Sequence, residues 1–421
     1  MKSEYIHKLK QNPLFKDSFW SILGNVAGSG LALAAGIIVA RFLGKEIFGE
    51  YGMIKATLLN FAVFSTFGLG FTATKFIAEA KGNIRQIVKG STSITLITSI
   101  AFALLLFAFS KQAAVFLNAE HLSFALRIFA VNIVFNAIST VQIGILAGFK
   151  AFKQIAVNNG IAGAVLFLLS VVFTYYWNIE GALSALLIST LIRCILNNAV
   201  VRKNLRTCIS SEQQADGIVK KMFSFSLPIA LHEGVFTITG WLQMLLLIKL
   251  TNYGEIGLFS AAQQWVMVIL FIPGVLRNVA LSHLSGANDN AVEHKKIFHR
   301  IILINFTTTI IPCLIIFAFS GFIASFYGES FIERLPMVLS IAVFSAVFTG
   351  VQNVYVQNLL SVNKTWTHFC LSAIFNVLTL VLSFLLISRN PERGAEVLVL
   401  VLLTVSVVRL LAYSLVMRTK I

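Results

Sequence analysis

Apolar positions along this chain come in long runs. They do not alternate, and they do not form a one-sided stripe. About a dozen runs of roughly 18–25 residues are apolar nearly all round, each long enough as an α-helix to cross ~30 Å of hydrocarbon. A helix resting on a water-soluble core would keep a polar face at the helical period, and these do not. The pattern predicts an all-α polytopic membrane protein of 12 transmembrane helices, near residues 18–40, 53–78, 91–110, 125–149, 160–178, 181–202, 223–248, 256–284, 300–322, 336–361, 366–388 and 395–417. The first run follows a polar stretch with Lys2, Lys8, Lys10 and Lys16. It is too long for a signal-peptide core and is expected to be retained as a span.

Composition agrees, with 57% of the 421 residues hydrophobic and 12% charged. The formal charge of +16 is no nucleic-acid signal, because the basic residues are scattered among short loops, where they encode orientation. One set of alternate loops, together with both termini, carries 20 Lys and Arg. The opposite set holds only Arg41, Lys45, Lys111, Lys249, Arg334, Arg389 and Arg393. The positive-inside rule therefore places both termini in the cytoplasm. No soluble domain is expected, so activity must reside in the membrane bundle. The four cysteines, Cys194, Cys208, Cys313 and Cys370, lack CxxC spacing and support neither a disulfide framework nor a metal site. They read as small buried residues.

The longest connection, 203–222, divides the spans six and six. It predicts an N-terminal six-helix lobe at 1–202, a cytoplasmic inter-lobe loop at 203–222 and a C-terminal six-helix lobe at 223–421. At an offset of 208 positions the halves are weakly similar: Arg41 falls on Lys249, Gly49 on Gly257, Tyr51 on Phe259 and Ser18 on Ser226. Six spans per half give both halves one orientation, hence a pseudo-twofold axis along the membrane normal, with a cleft between lobes that rocking would expose to each side in turn. Chance similarity among apolar helices is the competing reading.

Six cations lie inside spans: Lys55, Lys75, Arg127, Arg193, Arg277 and Arg409, against one deep acid, Glu233. A charge at the bilayer centre costs roughly 2.5–3.5 kcal/mol on insertion scales, so such residues face protein or a wet cavity. Ion pairing cannot balance six against one; a hydrated cavity for an anionic substrate would. Lys75 and Arg127, near span ends, fit snorkelling, and Lys55 fits either role. Arg193, Arg277 and Arg409 lie deeper and are the candidate cavity cations, joined by Lys55. Arg277 sits in FIPGVLRNVA, where Pro273 and Gly274 can break the helix. Glu233, in SLPIALHEGVF, is the candidate site for a coupling H+ or Na+, or else an ion-pair partner for an arginine. Asn25, Gln352, Asn353 and Gln357 are candidate contacts for sugar hydroxyls, against the ordinary reading of helix packing.

The stretch from Ser18 to Lys81 resembles the polysaccharide (O-antigen type) flippases of the multidrug/oligosaccharidyl-lipid/polysaccharide exporter superfamily. The likeness lies in span one, in A-R-x-L-G-x-x-x-F-G-x-Y from Ala40 to Tyr51, and in TKFIAE from Thr74 to Glu79. The resemblance implies a bacterial inner-membrane protein, two six-helix lobes around a central cavity, and no enzymatic activity. It also implies a substrate, an oligosaccharide repeat unit on undecaprenyl diphosphate, flipped from the cytoplasmic to the periplasmic leaflet. A polysaccharide polymerase and a chain-length regulator would be its neighbours. The rivals are a drug/cation antiporter of the same superfamily, a membrane polysaccharide polymerase or ligase, and a peptidoglycan-precursor flippase. A cation antiporter would favour acids in its cavity. A polymerase or ligase usually carries a large outer loop with a catalytic His/Asp/Glu cluster, and the outer loops here are short and show none. A peptidoglycan-precursor flippase usually has additional spans.

The orientation is directly testable. A fluorescent protein fused after Ile421 should fluoresce in a bacterial host and alkaline phosphatase fused there should be inactive; the reverse pair would overturn it.

Overall fold

In the computed structural model of the chain, residues 13–79, 83–207, 218–286, 291–362 and 364–418 are described, and among them there is no strand. Helix α1 (Pro13–Thr66) is followed by α2 (Leu69–Ala78), α3 (Ile84–Ala108), α4 (Ser110–Phe116), α5 (Ser123–Phe129), α6 (Val131–Gly148), α7 (Phe152–Thr207) and α8 (Ile218–Leu250). Then come α9 (Tyr253–Ile269), α10 (Phe271–Gly286), α11 (Ala291–Ala318), α12 (Ser320–Tyr327), α13 (Glu329–Ile332), α14 (Leu335–Ser361), α15 (Thr365–Arg389) and α16 (Gly394–Arg418).

Two of these helices are hairpins with almost no loop. In α1 the chain reverses at Gly44, whose φ of 71° and ψ of 170° suit a residue without a Cβ. In α7 it turns at Trp177 and Asn178, the latter at φ 46°, and Asn is among the residues that tolerate positive φ. All 12 expected runs fall on helix, with breaks inside five of them, at residues 67–68, Phe109, Ala130, Leu270 and Phe319. Among the described residues, taken singly, eight helices are long and apolar enough to cross a membrane, nine if α9 and the start of α10 count as one span bent by 50°.

The packing is inverted relative to a water-soluble bundle. On α3, Ser91, Thr95 and Ser99 are buried at four-residue spacing, while Ile97, Leu104 and Leu105 are exposed. On α15, His368, Ser372, Asn376, Thr379 and Ser383 are buried while Ile374, Val377 and Phe384 are exposed. In hydrocarbon an apolar side chain gains nothing by leaving the surface, whereas an unpaired polar group there costs several kcal/mol. Polar residues therefore go inside. Tyr175, Tyr176 and Trp177 are exposed together at the α7 turn, as interfacial aromatics are.

The chain forms two compact units, Met1–Ala35 with Met53–Trp241, and Gly36–Gly52 with Leu242–Ile421. This boundary differs from the expected 1–202 and 223–421: the tip of the α1 hairpin joins the second unit, and most of α8 joins the first. The reason for the first exchange is a glycine-lined crossing inside the second unit. A Cβ added at Gly49 would collide with the Tyr253 carbonyl, and one added at Gly257 would collide with the Lys45 carbonyl. Gly49 and Gly257, and Lys45 and Tyr253, are pairs related by the same 208-position offset. The contact is therefore exchanged by a twofold operation, as in an isologous dimer interface. An added Cβ at Gly52 would lie 2.8 Å from the hydroxyl of Ser260, its own equivalent. The repeat read weakly from sequence is thus visible as a self-complementary contact.

At the end of the second unit expected to face outward, Arg334 holds two carboxylates. Its Nη2 donates to Glu255 Oε2 at 3.1 Å and its Nε to Glu396 Oε1 at 3.1 Å, and Nη1 also pairs with Glu255. Glu255 Oε2 accepts the Ala395 amide at 2.7 Å. Burial by itself would lower the Arg334 pKa, but hydrogen bonds and charge from Glu255 and Glu396 outweigh it and raise the pKa. The two carboxylates come from α9 and the start of α16, and the arginine from the head of α14. The charges of this cluster are matched in hydrogen bonds, as burial demands.

The crossing makes a prediction of opposite signs. Gly49→Ala and Gly257→Ala should each lower the melting temperature in detergent. Gly321→Ala, in open space on α12, should leave it unchanged or raise it by the equivalent of about 0.5–1 kcal/mol. Equal effects at all three positions would contradict the crossing.

Candidate functional site

Within the second unit a shallow, open recess, with closed room for about one water, is lined by Pro273, Leu276, Arg277 and Ala280 of α10, Asn305 of α11, and Asn353, Val354 and Gln357 of α14. Local sequence explains its position. The chain bends at Leu270, three residues before Pro273, and Gly350 lets α14 approach: a Cβ there would meet Thr309 Cγ2 at 2.7 Å and Pro273 Cγ at 3.5 Å. Further along α14, Asn353 and Gln357 point into the space that opens.

The polar atoms of the recess are not equivalent. Asn305 Nδ2 is committed to the Ile301 carbonyl at 3.0 Å. Gln357 is 2% exposed, and its Nε2 has no hydrogen-bond partner among the described residues. Arg277 is exposed and makes no ion pair or hydrogen bond with any described residue. The recess therefore offers a guanidinium and a spare buried amide donor. A buried donor left without an acceptor costs about 1–3 kcal/mol, and guanidinium prefers planar oxyanions. The arrangement suits a ligand bearing acceptor oxygens, such as phosphate or a sugar acid.

The other expected site residues are distributed. Arg193, half-buried on the second limb of α7, donates Nε to Ser139 Oγ at 3.0 Å. Asn197 Nδ2 reaches the same hydroxyl at 3.4 Å, and Asn158 Nδ2 donates to Asn197 Oδ1 at 2.9 Å. These residues join α6 to both limbs of α7 in the first unit. Lys55 is exposed on α1 in that unit and is engaged in further interactions. Arg409, on α16, donates Nη2 to Ser372 Oγ at 2.8 Å, and its buried Nε has no described partner. Glu233 is half-buried on α8, has interactions of its own, and its carbonyl accepts Thr237 Oγ1 at 2.7 Å. Gln352 is buried beside Asn353 and does not line the recess. Asn25 lies outside the residues whose side chains are described. Lys75 is exposed, and Arg127 lies 4.4 Å over the Phe107 ring, an arrangement of the cation–π kind.

The structure thus brings Arg277, Asn353 and Gln357 together and keeps Arg193, Lys55 and Arg409 in other surroundings. Asn305 and the Ser139–Asn158–Asn197 network were not anticipated. Their signal in sequence is a lone amide inside an apolar run. No group of three or more His, Cys, Asp or Glu suited to a metal occurs among the described residues.

The family described as "Polysaccharide biosynthesis protein" matches residues 14–280. The "EPS I polysaccharide export inner membrane protein EpsE" of Ralstonia nicotianae is 24% identical over 384 residues, covering 87% of this chain and 86% of the relative. A "Putative O-antigen transporter" of Shigella flexneri is 20% identical over 347 residues, covering 80% and 82%. Among solved structures, an inward-facing multidrug resistance MATE family transporter of the MOP superfamily aligns with a TM-score of 0.79 at 16% identity, over 95% of this chain and 100% of that one.

Because Arg277 has no described partner, Arg277→Gln should leave the melting temperature within the equivalent of about 0.5 kcal/mol of the parent. Arg193→Ala should lower it, since it strips a partner from the buried Ser139–Asn197 network. Equal losses would place Arg277 in the structural framework.

Proposed function

The chain belongs to the polysaccharide biosynthesis protein family, and from that premise we propose that it is a flippase for oligosaccharide repeat units carried on undecaprenyl diphosphate. It moves them from the cytoplasmic to the periplasmic leaflet of the inner membrane for O-antigen or related surface polysaccharide. The relatives named for polysaccharide export and O-antigen transport support the substrate class. The observation that carries the reading is Arg277, unpaired among the described residues, beside the spare buried donor of Gln357.

The physical task is to carry a diphosphate and several sugars across hydrocarbon, where each uncompensated charge is expensive. A protein lowers that barrier by replacing the head group's water with fixed donors. In this reading Arg277 takes a phosphate or sugar-acid oxygen, Gln357 Nε2 takes a second acceptor, and Asn353 contacts a hydroxyl. Arg193, Arg409 and Lys55 contribute positive potential that favours an anionic cargo over a cationic one. The polyprenyl tail needs no such help, because lipid already solvates it. Alternating access then exposes the head-group site to one side at a time, with H+ or Na+ as the coupling ion. A polymerase and a chain-length regulator are the partners that would consume the product.

A drug/cation antiporter shares the fold, but a recess offering an arginine and a spare amide donor suits cationic cargo poorly. The test is genetic and chemical. In a strain lacking this protein, the parent chain should restore surface polysaccharide. Arg277→Ala at equal protein level should reduce it roughly tenfold, the loss of about 1.4 kcal/mol, and lipid-linked repeat units should accumulate. Undiminished surface polysaccharide with Arg277→Ala would remove the recess from the transport path. In the strain lacking the protein, repeat units stranded unpolymerised on the periplasmic face instead of the cytoplasmic face would favour the polymerase or ligase reading.

A further inference from the structure

In the first unit, α6 carries Asn132, Asn136, Ser139 and Gln142 at intervals of four, three and three. That spacing stacks them along one side of the helix, over roughly 15 Å, about half the hydrocarbon thickness. The helix is packed against α2, α3 and α7. Asn132 and Gln142 are 4% and 5% exposed, Ser139 is fully buried and Asn136 half-buried.

A polar side chain between membrane helices ordinarily bonds across to a neighbour. Ser139 does so: its Oγ accepts Arg193 Nε at 3.0 Å and Asn197 Nδ2 at 3.4 Å. The three amides of the stripe differ. Asn132 Oδ1 and Gln142 Oε1 are enclosed without a hydrogen-bond partner among the described residues. Asn136 engages the described residues only through its backbone carbonyl, which accepts Thr140 Oγ1 at 2.9 Å. Arg193 is anchored by Nε alone, and neither Nη makes a hydrogen bond with a described residue. Its anchor is held in turn, since Asn158 Nδ2 donates to Asn197 Oδ1 at 2.9 Å. The guanidinium is therefore fixed at Ser139, one turn from Asn136, with two nitrogens to spare.

These groups select a ligand by its chemistry. The spare oxygens need a donor, and the guanidinium and the amide nitrogens need an acceptor. Phosphate supplies acceptors only and would leave Asn132 Oδ1 and Gln142 Oε1 unpaired. A cation would suit those oxygens but be repelled by Arg193. A hydroxyl both donates and accepts, and a sugar ring presents several in a row. We propose that Asn132, Asn136, Gln142 and Arg193 form a saccharide-binding stripe in the first unit, with the amides on sugar hydroxyls and the Arg193 Nη atoms on hydroxyl or ring oxygens. The stripe rests on the reading that the cargo bears sugars. It differs in kind from the second unit's recess, where Arg277 and the spare nitrogen of Gln357 only donate. The unpaired amides cost stability while they wait. Leucine, similar in volume to asparagine, would remove that cost together with the binding.

The test uses full-length protein in lipid nanodiscs and two probes: undecaprenyl diphosphate alone, and the same lipid bearing the repeat unit, extracted from a strain lacking the protein. Native mass spectrometry reads the binding of each. The parent should hold the sugar-bearing lipid more tightly. Asn132→Leu and Asn136→Leu should each weaken it roughly tenfold, the worth of a hydrogen-bonded amide, and leave the bare lipid unchanged. Neither variant should melt below the parent. Equal loss of both lipids, or a lowered melting temperature, would assign the amides to helix packing and overturn the stripe. Unchanged binding of both would assign them to bound water, with the same consequence, as would a parent that does not distinguish the two lipids. Arg277→Ala should weaken both lipids alike. If it weakens neither while the asparagine variants behave as expected, the recess loses its role and the stripe stands.

Discussion

Hydrocarbon supplies no hydrogen bonds, and the rest of the structure depends on that constraint. It drives the backbone into helices and favours polar side chains that turn toward other helices. The inverted packing of α3 and α15 follows, with serines, threonines, asparagine and histidine inside and leucines, isoleucines and phenylalanines outside. Once lipid has removed water as a competitor, a polar side chain must find a partner within the protein or wait for one from a ligand. The few that wait are the informative ones. Gln357 Nε2 and Arg409 Nε are conspicuous because nearly everything around them is committed.

Without a hydrophobic force between helices, close approach has to come from shape. Gly49, Gly52 and Gly257 supply it at one crossing, where the backbone carbonyls of Lys45 and Tyr253 occupy the space a side chain would take. The crossing explains why Gly36–Gly52, distant in sequence from its neighbours, is part of the second compact unit. It also explains why the internal repeat is so faint. Twofold exchange constrains a few small residues at the axis, while lipid-facing positions need only be apolar and drift freely.

Much of the fold was legible because its determinants are local. Length and apolarity mark each helix, and Gly44, Asn178 and Pro273 mark where the chain turns or bends. The recess was legible in its parts: Arg277, Asn353 and Gln357 each stand out as polar residues in an apolar run. Their meeting was not, since it depends on Gly350 letting α14 pack closely against Thr309 of α11. The Arg334 cluster was illegible for the same reason, its carboxylates being 79 and 62 positions away along the chain.

The unpartnered atoms carry one more piece of information, their sign. In the first unit the buried polar atoms without a described partner are all oxygens: Asn60 Oδ1, Thr95 Oγ1, Asn132 Oδ1, Gln142 Oε1 and Thr174 Oγ1. In the second they are nitrogens, Gln357 Nε2, Asn376 Nδ2 and Arg409 Nε, apart from Ser383 Oγ. The amide oxygens can only accept, the threonine hydroxyls can accept or donate, and the spare nitrogens can only donate. The two units therefore differ in what their uncommitted buried groups can bind: acceptor oxygens on a ligand suit the nitrogens of the second, and hydroxyl donors suit the amide oxygens of the first.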